Sequence, residues 1–126
     1  MKKIISTEMA PKAIGPYSQA VLVNDTLYIS GQIPINPETS TVVEGDIKVQ
    51  TQQVMINMGA ILKEAGFEYS DVVKCTCLLS DMNNFAGMNE VYGSYFSSNP
   101  PARAAYGVVK LPLGVLIEIE CIAVKA

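Results

Sequence analysis

The chain of 126 residues contains no histidine and no tryptophan, and a single arginine, Arg103, among nine cationic side chains. The missing histidines carry the most information. Without imidazole there is no Ser-His-Asp or Cys-His activation of a nucleophile, no histidine general base, and none of the histidine-containing zinc sets. Catalysis, if any, has to run on carboxylates, tyrosine, lysine, cysteine or backbone groups. Charge is scarce as well: Asp, Glu, Lys and Arg make up 17% of the chain and the formal net charge is −3. No basic run exists beyond Lys2-Lys3, so neither a nucleic-acid groove nor a membrane surface has electrostatic support. The three cysteines are too few for a disulfide framework, and Cys75 and Cys77 read as small core residues on one face of a strand. No apolar run reaches the length of a membrane span, and Ile4-Ile5 is too short for a signal-peptide core. The expected setting is reducing and cytoplasmic.

What is present is apolar. Residues of the hydrophobic class form 49% of the chain, enough for one packed domain over residues 1–126. A short strand over 2–5 leads into Ala10-Pro11-Lys12-Ala13-Ile14-Gly15-Pro16-Tyr17-Ser18, an ordered loop stiffened by its prolines. Strands over 20–23 and 26–30 meet at an Asn24-Asp25 turn, and Ser30-Gly31 closes the second. Residues 32–45 read as loop. A helix over 46–65 carries the stripe Ile47, Val54, Met58, Ile61, Leu62 and Ala65, ended by Gly66. A strand over 72–79 follows, then a helix over 82–96 capped by Asp81, with Phe85, Met88 or Asn89, Tyr92 and Phe96 on one inward side, then strands over 103–109 and 116–124.

The order βββαβαββ has two strand–helix–strand crossovers. With the usual right hand and a common direction, these place both helices on one face of a mixed sheet. Yet Leu27-Tyr28-Ile29 and Cys77-Leu78-Leu79 are apolar on both faces, and one helical layer cannot cover both. A homo-oligomer is expected to bury the remainder, with sites at its interfaces.

Candidate chemistry gathers at four places. Arg103 follows Pro100-Pro101 at the mouth of a strand, and its planar fork matches a carboxylate. Tyr17 sits behind Pro16 with its hydroxyl able to be aimed, and Ser30-Gly31 lets a ligand approach the main chain. In the last strand Glu118 and Glu120 share a face with Ile122 and Val124, which puts at least one glutamate at a half-buried boundary. Burial raises a carboxyl pKa and a nearby arginine lowers it, so such a glutamate can exchange protons with a bound water. General acid–base help contributes roughly 10²–10⁴-fold, which suits water addition to an already activated small carboxylate.

Six segments, in order, resemble the RidA/YjgF/YER057c/UK114 family end to end. They are Gly15-Pro16-Tyr17-Ser18-Gln19-Ala20, Leu27-Tyr28-Ile29-Ser30-Gly31-Gln32-Ile33-Pro34, Val72-Val73-Lys74, Asn89-Glu90-Val91-Tyr92, Pro101-Ala102-Arg103, and the run from Ile117 to Val124. The resemblance implies a chorismate-mutase-like α+β fold assembled as a homotrimer with clefts between subunits. It further implies an enamine/imine deaminase that needs no metal or organic cofactor. Such enzymes hydrolyse 2-iminobutanoate and 2-iminopropanoate, released by pyridoxal-phosphate enzymes such as threonine dehydratase, to 2-oxo acids and ammonia. By the same resemblance Arg103 binds the substrate carboxylate and Glu118 positions the attacking water. Tyr17, Ser30 and Gly31 line the pocket, Phe85 and Asn89 border it, and Glu120 is a structural neighbour. Many family members carry Arg-Ser-Cys where this chain reads Arg103-Ala104-Ala105, so a pocket thiol is absent at Ala105.

Two other functions stand beside this one. A trimer could keep the Arg103 pocket for a small carboxylate without turnover, as a regulatory or chaperone-like module. Ribonuclease activity, attributed to some relatives, has the acidic pI near 4.8 and the missing histidines against it.

Overall fold

The computed structural model describes residues 1–126. One six-stranded sheet organises it: β1 (Lys2–Ile5), β2 (Ala20–Val23), β3 (Thr26–Gln32), β6 (Val72–Leu79), β7 (Ala102–Gly107) and β8 (Ile117–Val124), in the order β1-β2-β3-β8-β6-β7. Two helices, α1 (Ile47–Glu64) and α2 (Phe85–Tyr95), pack together on one face. The final strand, β8, is antiparallel to both β3 and β6, so those two strands run parallel with β8 inserted between them. The α1 crossover therefore spans from β3 over β8 to β6. The α2 crossover continues outward to β7, which is parallel to β6. This is the mixed α+β sheet with a helical layer on one face that the crossovers predict.

Alternation along the strands divides the two faces cleanly. Ile117, Ile119, Cys121 and Ala123 of β8 lie buried under the helices, beside Leu27 and Ile29 of β3 and Cys75, Cys77 and Leu79 of β6. All three cysteines are free and buried in this core. Register puts Ile4, Val21, Tyr28 and Ile122 on the other face. Leu78 and Tyr106 join them beside Glu118. Nothing in the chain covers that face, and about half of the surface of Ile4, Tyr28 and Tyr106 is exposed.

Local chemistry accounts for the helix ends. Asp46 is the N-cap of α1, its carboxylate accepting from the amide of Val49 at 3.0 Å. At the other end the Phe67 amide donates to the Leu62 carbonyl at 2.8 Å and that of Gly66 to the Lys63 carbonyl at 3.0 Å. This pairing requires a left-handed residue between, and Gly66 supplies it with φ +82°.

Four boundaries differ from those expected of the sequence. Ser30-Gly31 does not close β3. Ile29 pairs with Cys121 and Gln32 with Ile119, so β3 takes three steps where β8 takes two, and Ser30-Gly31 forms the resulting bulge. The 32–45 segment holds a small hairpin, β4 (Ile35–Asn36) with β5 (Thr41–Val42), too short for alternation to show. Asp81 caps a 3-10 turn over Met82–Asn84, donated to by the Asn83 amide at 2.9 Å, and the α-helix begins only at Phe85. β7 stops at Gly107 because its partner β6 stops at Leu79, whose carbonyl takes the Val108 amide at 2.9 Å; Val109 is left fully exposed.

Candidate functional site

The β3 bulge shapes the first half of the site. The Ser30 hydroxyl donates to the Ser18 carbonyl at 2.6 Å and the Ser30 amide to the Gln19 carbonyl at 3.0 Å, tying the proline loop and its Tyr17 to the bulge. The Ser30 side chain is thus spent on positioning, and what the bulge offers is main chain. Beside it, the Glu118 carboxylate is packed against Gly31: a Cβ built there would stand 2.8 Å from Glu118 Cδ and closer still to Oε2. Gly31 is needed for a side chain of the same chain to come close, where the sequence pointed to a ligand.

Glu118 is half-buried, and that burial, followed by the neighbouring charge of Glu120, raises its carboxyl above the usual range. Glu120 itself is exposed. Together with Tyr17, Gly31, Ile14 and Leu113 the two glutamates line a depression of about 600 Å³. An adjoining hollow of about 220 Å³ shares Ile14, Tyr17, Gly31, Ile33 and Leu113 with it.

Buried polar side chains of α1 hold this region from behind. Asn57 donates to the Ile33 and Ile35 carbonyls at 3.3 and 2.9 Å, and Gln50 accepts from the Leu116 amide at 2.9 Å. Gln19 plays the same part under the proline loop, taking the Thr7 amide at 2.7 Å and donating to the Pro11 carbonyl at 2.8 Å. The sequence did carry a signal for the α1 pair: Gln50 and Asn57 are polar residues on the spacing of the core stripe.

The second half lies elsewhere. Arg103 Nη1 donates to Asn89 Oδ1 at 2.6 Å, and the guanidinium carbon sits 5.4 Å from the Phe85 ring centre and 4.9 Å from that of Tyr92. α2 therefore holds the fork by one hydrogen bond and two aromatic faces, and the residue remains exposed. Phe85 and Asn89, expected to border the pocket, are the groups that orient Arg103. Tyr92, which the sequence placed only in the core, joins them, its hydroxyl buried without a hydrogen-bond partner. Ala105 shares the face of Arg103 and pairs in register with Cys77, whose thiol burial pushes up to about 12.

The structure does not bring the two halves together within one chain. Arg103 pairs with Cys75 on the helix face, whereas Tyr106, three residues on, pairs with Leu78 and so with Glu118 on the open face. Two strand spacings across and three residues along separate the Arg103 and Glu118 Cα positions by about 14 Å, with side chains on opposite faces. No cluster of three or more Cys, Asp or Glu side chains stands close enough to share a metal ion. No helix is long and apolar enough to cross a membrane.

A mixed sheet with one helical layer, a caged arginine at its edge and a half-buried glutamate on its open face define a small α+β protein with two separate polar sites. The chain belongs to the RidA/YjgF family: residues 7–125 match the family model described as Endoribonuclease L-PSP. A RutC family protein of Pyrococcus horikoshii is 58% identical over 125 residues, covering 99% of both chains. The human 2-iminobutanoate/2-iminopropanoate deaminase is 53% identical over 125 residues, 99% of this chain and 91% of that one. Among solved structures, one described as a putative endoribonuclease from Thermotoga maritima superposes with a TM-score of 0.98 at 51% identity, covering 100% of this chain and 99% of that one.

Proposed function

We propose that the chain is a 2-iminobutanoate/2-iminopropanoate deaminase working as a homotrimer, without metal or organic cofactor. The observation that carries this is Glu118, a half-buried carboxylate of raised pKa seated against Gly31 at the floor of a hollow. The deaminases among its mammalian relatives, about half identical along nearly the whole chain, support the same activity. Arg103 takes the substrate carboxylate in its fork, and the imine carbon faces Glu118 of a neighbouring copy. Glu118 accepts a proton from water as the water oxygen bonds to that carbon. From the protonated imine this gives a carbinolamine; Glu118 returns its proton to the nitrogen and takes up the hydroxyl proton as the carbon–nitrogen bond breaks, and ammonia and a 2-oxo acid leave. Tyr17 closes one side of the hollow, and Ala105 leaves the arginine side free of a thiol.

The same geometry supports assembly from more than one copy, which the trimer reading supplies. Two half-sites on opposite faces of one sheet can serve one substrate only if another copy supplies the missing half, and the uncovered apolar face around Tyr28 and Tyr106 is a surface for it. The substrates are the short-lived imines released by pyridoxal-phosphate dehydratases, so a threonine dehydratase is the natural coupling partner and the reducing cytoplasm the natural setting.

The test is to add purified protein to a threonine dehydratase reaction and trap the remaining imine with semicarbazide. Accelerated loss in wild type, absent in Glu118→Ala and Arg103→Ala, is expected. Loss at the buffer rate refutes the deaminase. If a 2-oxo acid still binds wild type and not Arg103→Ala, the chain is instead a carboxylate-binding module without turnover.

A further inference from the structure

Leu113 has no place in the economy of the fold. It stands at φ +57°, the left-handed region that costs an L residue with a branched side chain, and Gly114 after it stands at φ +68°. Two overlapping turns demand this backbone: the Gly114 amide donates to the Leu111 carbonyl at 3.2 Å and the Val115 amide to the Pro112 carbonyl at 3.3 Å. Glycine or asparagine would satisfy both without strain. Burial does not compensate, since 67% of Leu113 is exposed. A strained, unburied apolar side chain calls for a role outside packing. Leu113 lines both the hollow at Glu118 and the smaller one beside it, and Ile14, 78% exposed, lines both with it.

We infer that Leu113, with Ile14, is a specificity-determining wall that receives the alkyl chain of a short aliphatic 2-imino acid whose reacting carbon sits at Glu118. The inference rests on the deaminase reading of that hollow. An aliphatic wall offers nothing to the polar end of the substrate and rewards each added methylene, by about fourfold in apparent affinity when the group is fully desolvated. Discrimination between the three- and four-carbon imino acids is therefore written at position 113, while Arg103 and Glu118 treat both alike.

The experiment compares kcat/KM for 2-iminobutanoate and 2-iminopropanoate, generated in situ by an amino-acid oxidase with catalase, in wild type, Leu113→Gly, Leu113→Asn and Leu113→Met. The four-carbon to three-carbon ratio is expected to fall by up to about fourfold in the Gly and Asn variants and to hold in Leu113→Met. Thermal stability should not fall in the Gly variant, because the strain is relieved. An unchanged ratio in both Gly and Asn variants overturns the inference while leaving the deaminase standing. Dissociation of either variant into monomers also overturns it, by assigning Leu113 to subunit contact. If wild type turns over neither imine, the deaminase reading fails first. Calorimetry with pyruvate and 2-oxobutanoate then decides the wall: equal relative affinities in wild type and Leu113→Gly, or no binding to wild type, refute it.

Discussion

Gly31→Ala separates the site from the fold more sharply than any change to a charged residue. Gly31 does not use a glycine-only backbone conformation, so alanine is compatible with the chain at that point. The new methyl group meets one obstacle, the Glu118 side chain, at 2.8 Å from Cδ and 3.1 Å from Cγ. Inserting a methyl into a packed site commonly costs about 1–3 kcal/mol. Here the obstacle is the free end of a half-exposed side chain that can rotate away, so stability should sit at the low end of that range. The carboxylate, however, must move by about 1 Å or more, and misplacement on that scale costs about 10²-fold in rate. This corresponds to about 2.7 kcal/mol of transition-state stabilisation. The assay is steady-state imine hydrolysis alongside thermal unfolding, for Gly31→Ala, Glu118→Ala and the double variant. If the methyl acts only by displacing Glu118, it should cost nothing further once Glu118 is alanine, and the coupling energy should equal the whole effect of the single change. A Gly31→Ala protein with wild-type kcat, or one whose loss persists additively without Glu118, would refute the assignment of both residues.

Arg103→Lys keeps the charge and loses the fork. We expect KM for the imine to rise by about 10- to 100-fold, the worth of one hydrogen bond to a charged group, with kcat less affected; Asn89→Ala, which frees the guanidinium from its 2.6 Å partner, should move KM in the same direction by less. Burial and Glu120 both raise the Glu118 pKa, so the acid limb of kcat/KM should lie above the ordinary glutamate value of 4.5, and Glu120→Gln should shift it to lower pH by removing the second cause. Because the folded protein holds that proton more tightly than the unfolded chain, stability present at pH below the unfolded value is lost as pH rises through the folded one. Glu118→Gln should therefore raise Tm at pH 7 relative to wild type, with the difference vanishing near pH 4, while abolishing activity. Gly66→Ala should cost about 1–2 kcal/mol through its φ of +82° alone, since a Cβ there meets no neighbour, and calorimetry should show lower Tm with kcat retained.

The sheet and its helices were legible because alternation and helical spacing report burial directly. Ile117, Ile119 and Cys121 against Glu118 and Glu120 sort into covered and uncovered faces on the page, and the structure sorts them the same way. The β3 bulge was not legible. One extra residue is visible only against the partner strand, and β8 lies some ninety residues further along the chain. The second role of Tyr92 was hidden for a related reason: helical spacing shows that it faces inward, as it does, and only the parallel register of β7 reveals that Arg103 stacks on the same ring. Nor could spacing tell Glu118 from Glu120, which are equivalent under alternation. Gly31 distinguishes them, because the bulge places the one residue without a side chain beside the first glutamate.

The separation of Arg103 from Glu118 follows from the same strand order, and no side-chain motion can remove it. β8 enters between β3 and β6, so Glu118 is carried two strands in from the edge on which Arg103 lies. Pairing then fixes their faces, because Arg103 falls level with Cys75 and Cys121 while Glu118 falls level with Leu78 and Tyr106. To reverse either side chain would require a one-residue slip of its strand, which would swap Ala105 for Tyr106 on the helix face of β7 or turn Ile117 and Ile119 of β8 out of the core. Any reaction that uses both residues on one small molecule must therefore take them from different chains. On the deaminase proposal, activity then depends on assembly. Mixing an excess of inactive Arg103→Ala with inactive Glu118→Ala, under conditions that allow subunits to exchange, should restore part of the wild-type rate, because some interfaces then pair an intact arginine with an intact glutamate. No recovery in a mixture shown to exchange would mean that the two residues do not share a site.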